Sequence, residues 1–180
     1  QAEDGIRDQP RSRGLVGNLL TCVYQSTANS GPVTREAARS VAAALGAAFH
    51  EFDVEPLVRG YERLVAAAVG RPLTWDRDDV ALQNVQARVR SPGVWMLANL
   101  IGALLLSTSN RSEAAVGYAT MDGDTSGGVA PLAGIDKAYL RRWLVWLERI
   151  GPEGVGPLPA LAAVNAQAPT AELRPPAAGQ

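Results

Sequence analysis

The segment from Gln83 to Lys137, QNVQARVRSPGVWMLANLIGALLLSTSNRSEAAVGYATMDGDTSGGVAPLAGIDK, sets polar groups at the rims of apolar elements. Asn84 and Arg88 stand four apart, so on a helix they share one face. The apolar run Ala103 to Leu106 reads as a buried strand that empties into S-T-S-N-R-S-E. Such a strand delivers a hydroxyl, an amide and a carboxylate to the start of the next helix, which is where open α/β sheets bind ligands. Phosphate suits the place, because helix N-termini offer free N–H groups and positive potential. The same residues have plainer readings. Asn110 followed three residues later by Glu113 is also a capping-box spacing, with the carboxylate closing the helix start. Taken alone, Arg88 is an exposed helix charge and Lys137 a solvated one.

To position these groups the chain must alternate strands and helices, the pattern of a parallel sheet covered on both faces. Strands are expected at Leu19 to Gln25, Ala48 to Val54 and Ala103 to Ser107. A first helix is expected from Thr34 as N-cap to Gly46 as C-terminal cap. Helices over Val58 to Val69 and Asp78 to Val89 are joined by the G-R-P-L-T-W loop. Ser91 and Pro92 suit an N-cap and first helical position, so a restarted helix should run to about Leu100. A short helix follows Asn110, and G-D-T-S-G-G-V is a loop. From Asp136 as N-cap, Leu140, Trp143, Leu144, Leu147 and Ile150 recur at helical spacing and read as core. A short helix over Ala160 to Ala166 and an extended tail complete the pattern.

With 180 residues and 47% apolar content the chain fits one α/β domain, assigned to residues 16–180. A net charge of -1 gives no electrostatic footprint for nucleic acid or an anionic membrane. The most apolar run, Val94 to Leu106, is broken by Asn99 and Gly102 and falls short of the roughly 18 residues a membrane helix needs, so it reads as core. The single cysteine, Cys22, cannot form an intrachain disulfide, which points to a reducing cytoplasm. It reads as a buried small residue of a strand. His50 has no partner at ligand spacing on its own element and reads as structural or surface.

The succession Q-N-V-Q-A-R-V-R, L-L-L-S-T-S-N-R-S-E, G-Y-A-T-M-D-G-D-T-S-G-G and Lys137, followed by P-T-A-E-L-R-P-P at Pro169 to Pro176, resembles the ATP-using domain of NAD synthetases. The match is to the glutamine-dependent, two-domain kind, relatives of the N-type ATP pyrophosphatases, and it runs from Cys22 to Pro176. The resemblance implies an adenine nucleotide alpha-hydrolase-like (Rossmann-like) fold. It implies Mg²⁺ at Glu113 and Thr108, whose hard oxygens suit that ion beside triphosphate. It also implies ATP contacts from Thr108, Lys137 and Thr170, with Lys137 meeting the phosphates and the charge developing at the activated carboxylate. Asn84, Arg88 and Asp124 match residues that hold deamido-NAD, the arginine through its planar fork. Gln25 to Ser30 should lie near the adenine. On this reading Thr108, Glu113, Asp124 and Lys137 converge on a dinucleotide acid and the nucleotide that activates it.

The implied reaction has two steps. The nicotinate carboxylate of deamido-NAD attacks the α-phosphorus of ATP, releasing pyrophosphate and leaving an acyl-adenylate. Ammonia, supplied from glutamine by a glutaminase domain, then displaces AMP. The implied partners are that domain and a second copy of the chain, paired through helices around Asn84 to Leu100; nucleic acid and membrane are not expected.

The family's S-G-G-x-D-S phosphate loop does not precede Leu20, and no glutaminase domain is present. The expectation is therefore a fragment lacking the first strand and P-loop, inactive alone. Its two inner strand edges are left unpaired, which makes poor solubility the expectation too. QAEDGIRD at the start resembles a translated sequencing adapter, so residues 1–15 are expected to be a non-native leader. Two rival readings are another N-type ATP pyrophosphatase, GMP synthetase-like or tRNA-modifying, and a non-catalytic nucleotide-binding module. A tRNA enzyme would show a basic face, and this chain is nearly neutral.

Overall fold

Glycine and proline mark several of the helix boundaries in the computed structural model, which describes residues 19–175. The leader expected over residues 1–15 lies outside the described residues. Strands β1 (Thr21–Ser26) and β2 (Ala48–Asp53) pair side by side. Ala48 N–H donates to the Leu20 carbonyl at 3.2 Å and Val54 N–H to the Ser26 carbonyl at 3.0 Å. The same sequence offset at both ends makes the pair parallel and free of slippage.

Helix α1 (Pro32–Leu45) connects the two strands. Its N-cap is Gly31, not Thr34, because proline has no N–H to leave unsatisfied and is pre-set for the first helical turn. The Thr34 hydroxyl instead bonds Gln167 at 3.4 Å. Gly46 closes the helix at φ 69°, as its type requires.

Helix α2 (Glu55–Val69) starts three residues before the expected Val58, again with proline in its first turn. Helix α3 (Trp75–Arg88) carries one non-helical residue, Asp78, at φ -121° and ψ 20°. Arg71 holds that residue with two bonds of 2.7 Å each. Regular helix therefore begins at about the residue the sequence indicated. Helix α4 (Arg90–Ile101) restarts after Val89, so Ser91 is not the N-cap; its hydroxyl goes to Ser126.

The third strand does not form as a strand. Ala103 to Ser107 contributes a single parallel bridge, Leu106 to Val129, with Ser107 N–H to the Val129 carbonyl at 2.9 Å and Gly128 N–H to the Leu105 carbonyl at 2.8 Å. Apolar composition marks a segment able to pair, but a ladder also needs a neighbour along its whole length. Helices α5 (Arg111–Ala115) and α6 (Lys137–Arg149) follow, then a 3₁₀ turn at Pro159–Leu161 and α7 (Ala162–Asn165). Asp136 caps α6 as expected, accepting from Tyr139 N–H at 2.8 Å.

Two compact units divide the chain. In the unit holding Gly31–Glu51 and Arg141–Pro169, α1 packs on the 3₁₀ turn and α7 around buried Ala37, Ala42, Leu158 and Leu161. In the unit holding Gln25–Ser30, Phe52–Leu140 and the tail from Thr170, α3 packs on α2 and α4 over Val54, Val58 and Val89.

Two expected core stretches are not core. Helix α6 has no buried residue, and Trp143 and Ile150 are exposed. In Val94 to Leu106 only Ala98 is buried, while Met96, Leu100, Ile101 and Leu104 face outward. Periodicity identifies an apolar face without saying whether another element covers it. Among the described residues no helix is long and apolar enough to cross a membrane. Cys22 is half-buried in β1, and burial pushes its thiol pKa up, away from reactivity. His50 is exposed on β2.

Candidate functional site

Helix α3 presents Asn84 and Arg88 one turn apart, and the segment Gly117 to Asp124 folds over them. Gly117 (φ 68°) and Asp122 (φ 61°) supply the left-handed turns that bend this segment back. The Thr120 hydroxyl bonds the Asn84 side-chain oxygen at 3.2 Å, and the Thr120 N–H donates to the Asp124 carboxylate at 2.8 Å. Arg88 Nε donates to the Met121 carbonyl at 3.1 Å. That is the one hydrogen bond of Arg88 seen among the described residues, and it leaves the two terminal nitrogens unengaged there. Gly123 lies so close to α3 that a Cβ there would stand 2.9 Å from the carbonyl of Ala87.

Between these elements and Leu173 and Arg174 lies a hollow of about 500 Å³. Asn84, Arg88 and Asp124 all line it, with Tyr118 on the same wall. Asp79 and Arg174 close one side, the guanidinium Nε donating to the carboxylate at 2.8 Å. Arg174 chiefly, with Gln83 assisting against the effect of burial, holds the Asp79 carboxyl below the usual range.

Glu113 and Lys137 form a second cluster. Asn110 accepts from the N–H groups of Ser112 and Glu113 at 3.0 and 3.2 Å, and Glu113 Oε2 accepts from Asn110 N–H at 3.1 Å. The capping box is thus present. It uses one carboxylate oxygen; the other, Oε1, receives the Lys137 ammonium at 2.9 Å. Lys137 is itself fixed by its backbone N–H to the Ser112 hydroxyl at 3.0 Å. Burial pushes the Glu113 carboxyl up, but the bonds from Lys137 and Asn110 outweigh it and the net shift is downward. The group is therefore an anion at neutral pH.

Thr108 is exposed, next to buried Ser107, whose hydroxyl bonds the Asp124 carbonyl at 2.8 Å. Thr170 is exposed too, and its hydroxyl accepts from Glu172 N–H at 3.3 Å. Of the four residues expected to converge, Asp124 lines the hollow, Glu113 and Lys137 pair beside α5, and Thr108 joins neither group. Thr120, Tyr118, Asp79 and Arg174 were not singled out from the sequence. Arg174 lies in the late P-T-A-E-L-R-P-P block, the one signal that pointed to it.

A family model described as NAD synthase matches residues 17–180. The glutamine-dependent NAD(+) synthetase of Bos taurus is 33% identical over 183 residues, covering 93% of this chain and 25% of the relative. That of Aquifex aeolicus is 34% identical over 153 residues, covering 85% and 25%. The chain thus spans about a quarter of the curated relatives it matches. Among solved structures, a glutamine-dependent NAD(+) synthetase from Cytophaga hutchinsonii superposes with a TM-score of 0.74 at 50% identity, covering 76% of this chain and 24% of that one. The enzyme from Acinetobacter baumannii in complex with ADP gives a TM-score of 0.68 at 25% identity, with 81% and 27% covered. On sequence and fold together, the chain belongs to the NAD synthase family.

Proposed function

We propose that this chain is part of the synthetase half of a glutamine-dependent NAD(+) synthetase, which converts deamido-NAD to NAD at the expense of ATP. The observation that carries the reading is the hollow on α3, where Arg88 offers two unengaged terminal nitrogens beside Asn84 and Asp124. A guanidinium fork takes a phosphate or carboxylate in two parallel bonds. Asn84 and Asp124 supply neighbouring acceptors and donors that orient the rest of deamido-NAD.

In this reaction the nicotinate carboxylate attacks the α-phosphorus of ATP, pyrophosphate leaves, and ammonia displaces AMP from the acyl-adenylate. Lys137, fixed at the start of α6, holds positive charge where the phosphates and the activated carboxylate lie, and Thr108 and Thr170 offer hydroxyls to ATP. Glu113 and Thr108 would hold Mg²⁺: the Glu113 carboxylate is anionic, and the ion would take the Oε1 oxygen that the Lys137 ammonium occupies here, with Thr108 brought in from its exposed position. Among the described residues no group of three or more acidic, histidine or cysteine side chains that could hold a metal forms. That suits an ion bound through one or two carboxylates with the remaining places left to phosphate and water. When bound, the metal neutralises triphosphate charge. The proposal extends to ammonia delivered from glutamine by a glutaminase domain, to pairing of two copies, and to a cytoplasmic setting.

Calorimetric titration of the chain with deamido-NAD tests the hollow. Arg88→Ala should weaken binding about a hundredfold or more, since each of the two charge-assisted bonds is worth roughly 1.5–3 kcal/mol. Equal affinity for both proteins would overturn the assignment. In the full-length enzyme, Glu113→Gln should abolish pyrophosphate release from ATP and deamido-NAD while glutamine hydrolysis stays measurable.

A further inference from the structure

Gln86 lies on α3 midway between Asn84 and Arg88, yet it lines no part of the hollow and is 2% exposed. Its side chain uses all of its hydrogen-bonding capacity. Oε1 accepts from the Thr27 hydroxyl at 3.3 Å and from Asn29 Nδ2 at 2.9 Å. Nε2 donates to the carbonyl of Leu82 at 3.1 Å and to that of Leu173 at 2.8 Å. The two carbonyls can only accept, so the amide has one admissible orientation.

These bonds tie together three segments remote in sequence. One is the turn Thr27 to Ser30, closed on itself by Thr27 N–H to the Ser30 hydroxyl at 3.0 Å and Ser30 N–H to the Thr27 carbonyl at 3.0 Å. The second is α3. The third is the tail, where Leu173 is buried and, with Arg174, forms one wall of the hollow.

We propose that Gln86 is a positioning residue: it holds the Thr27–Ser30 turn and the Leu173–Arg174 wall against α3, and so sets the spacing of the hollow in front of Asn84 and Arg88. A primary amide is the group that does this, because it presents a double acceptor to one segment and a double donor to the other. An aliphatic side chain satisfies neither, and a carboxyl group serves only the acceptor side in full. The consequence for ligand binding rests on the reading of the hollow given above; the positioning itself does not.

Amide hydrogen exchange read by mass spectrometry tests it in the chain without ligand. Gln86→Met should speed exchange about tenfold or more in peptides covering both the turn and the tail, as expected when buried polar groups lose their partners. Peptides from α1 should exchange as in the wild type. Gln86→Glu, which keeps an oxygen facing Thr27 and Asn29, should leave the turn close to wild-type protection. It also serves if Gln86→Met does not fold. The inference is overturned if Gln86→Met leaves the tail unchanged, if Gln86→Glu loosens the turn as much as Gln86→Met does, or if α1 loosens equally. Deamido-NAD titration of Gln86→Met should show about tenfold weaker binding. Selective loosening with no deamido-NAD binding by the wild type would retain the role of Gln86 and reject the ligand.

Discussion

Gly123→Ala is a one-carbon test of how the hollow is built. The added Cβ would stand 2.9 Å from the carbonyl carbon and oxygen of Ala87 and 3.1 Å from its Cβ, whereas ordinary contact begins near 3.4 Å. Ala87 is buried in α3 and cannot retreat, so the segment carrying Gly123 must lift by about half an ångström. That lift strains the bonds from Thr120 to Asn84 and from Arg88 to Met121, and it carries Asp124 away from Arg88. Overpacking of this kind costs about 1–3 kcal/mol. Displacement of a binding group by a fraction of an ångström should also weaken deamido-NAD binding about tenfold. The control is Gly134→Ala, where no atom lies within 4 Å of the added carbon and stability should change by less than about 0.5 kcal/mol. Urea unfolding of the three proteins, followed by titration with deamido-NAD, gives both readouts. If Gly123→Ala matches Gly134→Ala in unfolding midpoint and binds like the wild type, the close approach of loop and helix does not shape the hollow.

Asn110→Ala removes the acceptor that closes α5 and should cost about 0.5–2 kcal/mol, with faster exchange at the Ser112 and Glu113 amides; unchanged exchange there would refute the cap. The Arg71 guanidinium, with the Thr74 N–H, holds the Asp78 carboxyl well below the usual carboxylate range. A depressed folded-state pKa contributes stability that is complete above about pH 4 and is lost as acid protonates the folded form. The wild type should therefore exceed Asp78→Asn in melting temperature at neutral pH, with the gap narrowing toward pH 2. A gap that does not move with pH would remove the ion pair from the account.

The order of elements was legible because their boundaries are written in residues with special backbone needs: Gly46, Gly70 and Gly102 end helices, and Asn110 and Asp136 begin them. Asn84 and Arg88 could be placed on one face by spacing alone, and the capping box of Asn110 and Glu113 by type and interval. The packing was not legible. Leu140 to Ile150 and Val94 to Leu106 have the composition of core but no element over much of their surface, and a sequence does not state what lies opposite a helix. Nor could the partners of Gln86 be foreseen, since no local period links Thr27, Gln86 and Leu173. The same holds for Asp79 and Arg174, whose meeting depends on the path of the whole intervening chain.

The pairing of Asp79 with Arg174 spans 95 residues, and the bond from Gln86 to Leu173 spans 87. A ribosome adding roughly 5–20 residues per second needs about 5–20 s to cover the longer interval. Throughout that time one wall of the hollow on α3 is still unmade. The hollow is complete only once Leu173 and Arg174, among the last residues described, have been synthesised.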